Sequence, residues 1–135
     1  MPIMDWSESL RVGIDVIDEQ HAKLVKLVNQ LYDAMVAGKG KLVLGTVLTE
    51  LIEYTVYHFN TEEELFKRHG YPDAVNHIRE HNDLARTAKE LKIAYESNKA
   101  TVTFDTMKFL KDWLVNHIMK SDKAYAPFLK SKGEK

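Results

Sequence analysis

The sequence has 135 residues and a mass of 15.6 kDa, about one domain, and enough chain to bury a core without staples. Hydrophobic residues at 44% and charged residues at 29% exclude a disordered or collagen-like chain, and 19 basic against 20 acidic residues give no excess that would suit nucleic acid. The absence of cysteine excludes disulfides, iron–sulfur clusters, thiolate zinc sites, cysteine nucleophiles and c-type haem attachment.

No apolar run approaches the roughly 18 residues of a membrane span, so no membrane insertion is expected. The first residues lack the apolar stretch of a secretory signal, so the expected compartment is the cytoplasm. Residues 1–17 read as an irregular arm that packs through Trp6, Leu10, Val12, Ile14, Val16 and Ile17. Asp18 then offers an N-cap for a first helix over 18–37. Its apolar stripe is His21, Leu24, Val25, Val28, Leu31, Tyr32 and Met35, and the glycines at 38 and 40 stop it. A second helix over 42–69 carries Leu44, Val47, Leu48, Leu51, His58, Glu62 and Leu65 on one face, and Gly70-Tyr71-Pro72 ends it. A third over 73–96 carries His77, Ile78, His81, Leu84, Ala88 and Leu91, and Ser97-Asn98-Lys99 closes it. Residues 100–103 read as a linker. A fourth helix over 104–120 carries Met107, Leu110, Trp113, Leu114, His117 and Ile118. A short segment broken by Pro127 and a polar tail over 130–135 follow.

Four amphipathic segments with short connections predict an all-α, up-down-up-down antiparallel four-helix bundle forming a single domain. That topology puts the starts of the first and third helices at the same end as the finishes of the second and fourth. His21, His58, Glu62, His77, His81, His117 and Asp122 therefore share one level of the bundle, given a rise of about 1.5 Å per residue. A lone core histidine is unremarkable, and an isolated His-x3-His pair is weak. Five core-facing imidazoles and two carboxylates at one level are different, because each unpartnered buried polar group costs about 1–3 kcal/mol. A metal removes the conflict. Seven donors are too many for one tetrahedral zinc and suit two octahedral ions. Two redox-active irons fit best, with zinc or manganese pairs as alternatives.

These residues resemble the hemerythrin family of oxygen-binding di-iron proteins. The resemblance rests on His21 within DEQH, His58 and Glu62 within HFNTEE, His77 and His81 within HIREH, and His117 and Asp122 within HIMKSD, with Trp6 and Tyr71-Pro72 also matching. It implies that His77, His81 and His117 bind one iron and that His21 and His58 bind the other. It implies that Glu62 and Asp122 bridge two irons cycling between Fe2+ and Fe3+, together with an oxo or hydroxo bridge. Dioxygen is the implied ligand at the open position of the two-histidine iron. Leu24, Phe59, Trp113, Leu114 and Ile118 are the implied lining of the oxygen pocket, and each is equally at home as core packing.

His117 and Asp122 stand five apart, which on a regular α-helix leaves them about 140° apart in rotation. If both face the site, an irregularity is required between Met119 and Asp122. Weaker candidates are His69, read as a solvent-facing or capping residue, and Asp18 as a partner of His21. Residues 77–81 also match a short zinc-protease pattern, but Glu80 points about 100° away from His81. Reversible oxygen carriage, storage or delivery is the leading expectation, without enzyme activity. A di-iron oxidase is the rival, yet the chain has no Glu-x-x-His pair of the ferritin-like kind. An oxygen or redox sensor would need a partner for its output. A monomer is expected, serving an unidentified oxygen-consuming protein.

Overall fold

The computed structural model describes residues 3–98 and 104–135. Helices α1 (Asp15–Val36), α2 (Lys41–His69), α3 (Ala74–Glu96) and α4 (Phe104–Asn116) form a four-helix bundle, and α5 (Lys123–Ser131) follows. Among the described residues there is no strand. α1 runs along α2, α2 along α3, and α4 lies against α1. The linker over 100–103 and Lys99 lie outside the described residues. No helix among the described residues is long and apolar enough to cross a membrane.

The bundle has two apolar layers. The larger joins Leu24, Val28 and Leu31 of α1 to Leu48 and Leu51 of α2 and to Met107, Leu110, Leu114 and Ile118. The smaller joins Val12, Ile14 and Ile17 to Leu65 and Phe66 of α2 and to Tyr125 and Leu129 of α5. The histidine level falls between them, since each ligand candidate interrupts an apolar stripe that resumes a turn later. Depth differs between helices. α1 and α2 bury nine and ten residues each, whereas α3 buries only His77, His81 and Tyr95. Leu84, Ala88 and Leu91 of α3 stay half-buried.

The helix ends follow local chemistry. Gly70 takes φ 67°, and Phe66 C=O accepts from the N–H groups of Gly70 and Tyr71, which closes α2 before Pro72. The expected fourth helix over 104–120 requires correction. α4 stops at Asn116, and His117–Asp122 form a π turn, with Lys123 N–H bonded to Ile118 C=O five residues back. The irregularity expected between Met119 and Asp122 is thus present. Pro127 does not break the chain either. It lies inside α5, where its missing N–H falls within a turn of the change from π to α bonding. α5 reaches Ser131, so the polar tail starts later than expected.

Asp18 is a second correction. α1 begins at Asp15 with Ile14 as its cap, so Asp18 lies a turn inside the helix. Its buried carboxylate reaches back to the arm, accepting from Val12 N–H at 2.7 Å and Gly13 N–H at 3.1 Å, with Arg11 Nε 3.4 Å away. Gly13 needs this support because it holds φ 90°, where a Cβ would collide with the Lys130 side chain. Farther up, Asn29 pins the arm by exchanging two hydrogen bonds with the Met4 backbone. Trp6 packs half-buried on the larger layer, while Val16 is largely exposed. Asp18→Ala is expected to lower stability by about 2–3 kcal/mol, because two N–H groups lose their acceptor. Urea unfolding with an unchanged slope checks it. A loss below about 0.5 kcal/mol would mean that apolar burial alone holds the arm.

Candidate metal centre

Each helix delivers its donors by simple periodicity. His58 and Glu62 on α2 are one turn apart, as are His77 and His81 on α3, so each pair projects from one face. α1 supplies His21 alone. The fourth corner needs the π turn, whose i→i+5 bonding stacks residues five apart. His117 Nε2 and Asp122 Oδ1 accordingly lie 3.2 Å from each other.

All seven residues are buried, from 0% exposure at His21, Glu62 and Asp122 to 4% at His77 and His117. Their donor atoms form two groups. Glu62, His77, His81, His117 and Asp122 lie within 4.8 Å of one another, as do His21, His58, Glu62 and Asp122. The groups share both carboxylates. Glu62 Oε1 is 3.3 Å from His58 Nε2 and 3.0 Å from His81 Nε2. Asp122 Oδ2 is 2.8 Å from His21 Nε2, and its Oδ1 is 3.1 Å from His77 Nε2. Each carboxylate therefore faces imidazoles of both groups. His21 Nε2 and His58 Nε2 also lie within hydrogen-bond reach of each other, at 3.1 Å.

Apart from the His21–His58 contact, closeness among these donor atoms is not hydrogen bonding. Both oxygens of Glu62 and of Asp122, and Nε2 of His77, His81 and His117, are buried without an aligned hydrogen-bond partner. In a purely structural cluster these seven orphaned atoms would be a heavy penalty. They converge on two points instead, as first-row metal ligands do. Five imidazoles with two carboxylates form a donor set of intermediate hardness, suited to iron, copper, nickel or zinc. The residues present therefore fit a pair of such ions.

The outer ring nitrogens show which way the imidazoles face. His58 Nδ1 donates to Gln20 Oε1 at 2.6 Å, and the Gln20 amide is oriented in turn by its bond to Thr61 Oγ1. His81 Nδ1 donates to Glu63 Oε2 at 3.0 Å. His117 Nδ1 donates to Glu80 Oε1 at 3.0 Å, and Ser121 Oγ donates to the same oxygen. With Nδ1 protonated in each, Nε2 keeps its lone pair for the cavity. Sequence reasoning passed over Gln20, Glu63 and Ser121 and set Glu80 aside because it points away from His81. It does so in order to reach His117. Asp18, considered as a partner for His21, is occupied by the arm instead. The signal available was adjacency: Gln20, Glu63 and Glu80 each neighbour a ligand candidate, and a 100° rotation aims a neighbour at the next helix.

Of the proposed pocket residues, Phe59 lies directly against the site. It stacks on His81 with centroids 3.9 Å apart and planes at 7°, and meets His117 at 5.6 Å and Trp113 at 6.3 Å. Leu24, Leu114 and Ile118 are buried in the larger apolar layer. Trp113 is half-buried and lines an apolar cleft of about 20 Å³ with Leu48, Leu84, Ala88 and Phe109, room for one small molecule. His69 is tied down rather than free in solvent, its Nε2 lying 2.7 Å from Glu134 Oε1 of the tail.

The carboxylates and imidazoles shift one another's protonation. Burial and the neighbouring Asp122 raise the pKa of Glu62, but His58 and His81 beside it pull harder, leaving it at about 2. Burial also opposes ionisation of Asp122, and His117, His21 and His77 hold it well below the ordinary range. Burial lowers the pKa of His117, while Asp122, Glu62 and Glu80 raise it to about 9. Burial, then the charges of Glu62 and Asp122, push the enclosed Tyr125 hydroxyl well above 10. For the metal-free chain the signs are opposite at the two groups. The lowered Glu62 value adds stability that is complete above about 4.5 and lost as pH falls through 2. The raised His117 value adds stability that is complete below about 6.5 and lost as pH rises through 9. The metal-free chain is thus expected to melt highest between about pH 4.5 and 6.5, and thermal melts across pH check it. Metal displaces the imidazole proton, so the loaded protein's optimum is expected at higher pH.

Known proteins share this architecture. The hemerythrin HHE cation binding domain family matches residues 12–129. A bacteriohemerythrin of Methylococcus capsulatus is 36% identical over 130 residues, covering 96% of this chain and 98% of its own length. One from Stenotrophomonas maltophilia is 33% identical over 97% of this chain and 84% of its own, and a hemerythrin-like protein of Naegleria gruberi is 35% identical over 90% and 89%. The crystal structure of a wild-type hemerythrin superposes with a TM-score of 0.87 at 36% identity, covering 94% of this chain and 98% of that one. A mutant hemerythrin reaches 0.91 at 35% identity, over 96% and 98%. With a family match across nearly all of its length and relatives of this identity on both measures, the chain belongs to the hemerythrin family.

Proposed function

We propose that this chain binds dioxygen reversibly at a non-haem di-iron centre, for carriage, storage or delivery. The observation that carries the reading is the unequal pair of donor groups sharing Glu62 and Asp122. His77, His81 and His117 would hold one ion and His21 and His58 the other, with Glu62 and Asp122 within reach of both. One group offers three imidazoles and the other two, so the second ion keeps a position open to a ligand. A ferrous pair held there would supply reversible two-electron chemistry toward dioxygen.

The chain's own residues keep that exchange reversible. The two carboxylates and one hydroxide offset most of the charge of two ferrous ions, leaving about +1, which a buried site tolerates better than a bare pair. Phe59 covers His81 and His117 with an apolar ring, and Leu24, Trp113, Leu114 and Ile118 add apolar surface that limits water. Among the described residues no Lys or Arg is buried, so none competes with a metal ion for the carboxylates.

The test is an anaerobic optical titration of the iron-loaded chain. A colourless reduced form is expected to gain a visible charge-transfer band with oxygen and lose it on argon purging. One-pass conversion to a stable ferric form would overturn the reading in favour of an oxidase or redox sensor. His77→Ala is expected to reduce bound iron below two per chain, and metal analysis checks it; full iron content in the variant would remove His77 from the ligand set.

A further inference from the structure

Three outer hydrogen bonds share a pattern that the ligand set alone does not require. Gln20, next to His21 on α1, accepts from His58 on α2. Glu63, next to Glu62 on α2, accepts from His81 on α3. Glu80, next to His81 on α3, accepts from His117 at the end of α4. Each helix thus carries, beside its own ligand candidate, the acceptor that orients the imidazole of the following helix. The direction never reverses among these three bonds.

The acceptors also differ in charge. His58, from the two-imidazole group, is backed by a neutral amide that is itself buried. His81 and His117, both from the three-imidazole group, are backed by carboxylates. Those carboxylates stay in contact with water: the Glu63 side chain is 29% exposed and that of Glu80 46%. They therefore keep their charge cheaply at the rim, and the imidazoles transmit it inward as stronger donation from Nε2.

We propose that Glu63 and Glu80 are positioning residues that hold His81 and His117 with Nε2 toward the cavity and make the three-histidine end the more electron-rich side of the centre. This rests on the di-iron reading above. It goes beyond that reading by giving the two ends different hold on iron and different readiness to give up electrons. Glu80 has further support, since Ser121 within the π turn donates to the same oxygen that receives His117. The π turn thereby fixes both the ligand and its backing.

The experiment uses the full chain loaded anaerobically with ferrous iron, in the parent and in Glu63→Ala, Glu80→Ala, Glu63→Gln and Glu80→Gln. Glu64→Gln, at an exposed neighbouring position, is the control. Three quantities are read: thermal melting of the metal-free chains, the rate of iron loss to a ferrous chelator, and the reduction midpoint of the loaded chains. The alanine variants are expected to lose iron about ten-fold faster or more. The glutamine variants keep an acceptor, and are expected to hold iron more nearly as the parent does while showing a raised midpoint. Glu64→Gln should match the parent in all three. Alanine variants that hold iron like the parent, or glutamine variants with the parent's midpoint, would overturn the proposal. A parent that takes up two irons but never oxygenates reversibly would overturn the oxygen reading and leave this test intact. A parent that retains no iron would overturn both.

Discussion

Two carboxylates with no exposure to water, Glu62 and Asp122, share one cavity, and the rest of the molecule is arranged around that fact. Placed together in an apolar interior, like charges repel each other and lose their hydration. Five imidazoles surround them, which moderates the repulsion in the metal-free chain and converts the cluster into a pair of cation cages. The two apolar layers then have separate tasks. The larger holds α1, α2 and α4 together above the cluster, and the smaller closes the floor with the arm and α5. Asp18 belongs to this logic. Its carboxylate is buried too, but backbone N–H groups and Arg11 satisfy it, so it fastens the arm rather than adding a charge to the cavity.

The π turn is where local stability gives way to the site. A regular helix through residues 117–122 would bond more favourably but would rotate Asp122 away from His117. The extra residue per turn restores the alignment, and Pro127 lies within a turn of its end. A hydroxyl in the same turn, that of Ser121, then braces the Glu80 carboxylate outside the ring of ligands. Irregular backbone here does three things at once: it aims a carboxylate, aims an imidazole, and supplies a donor at the rim.

Much of this was legible in the sequence because the helix rule converts spacing into direction. The steps of four in His58/Glu62 and His77/His81 place those pairs on one face in any bundle. The step of five in His117/Asp122 signalled a defect, since no regular helix satisfies it. What escaped had partners on other elements. Nothing in the periodicity of α3 shows that Glu80 will meet His117, because that depends on how far two helices are rotated against each other. The donors to Asp18 are backbone N–H groups, which carry no residue signature, so an aspartate before an apolar run reads as a cap. Stripes also report direction without depth. The stripe of α3 runs on through Leu84, Ala88 and Leu91, yet those residues stay half-buried and α3 buries only three residues.

That shallow seating gives α3 a particular thermodynamic position. Two of its three buried side chains, His77 and His81, are ligand candidates, and Tyr95 secures the opposite end by donating to Lys41 C=O. A cation in the cavity is then a tether for the helix as much as a cofactor. Binding free energy at the centre becomes free energy of closing the bundle, growing as RT ln(1 + [M]/Kd) with free metal. An ion held by His77 and His81 would couple its own release to the seating of α3, so that ion exchange and bundle opening would be one equilibrium seen from two sides.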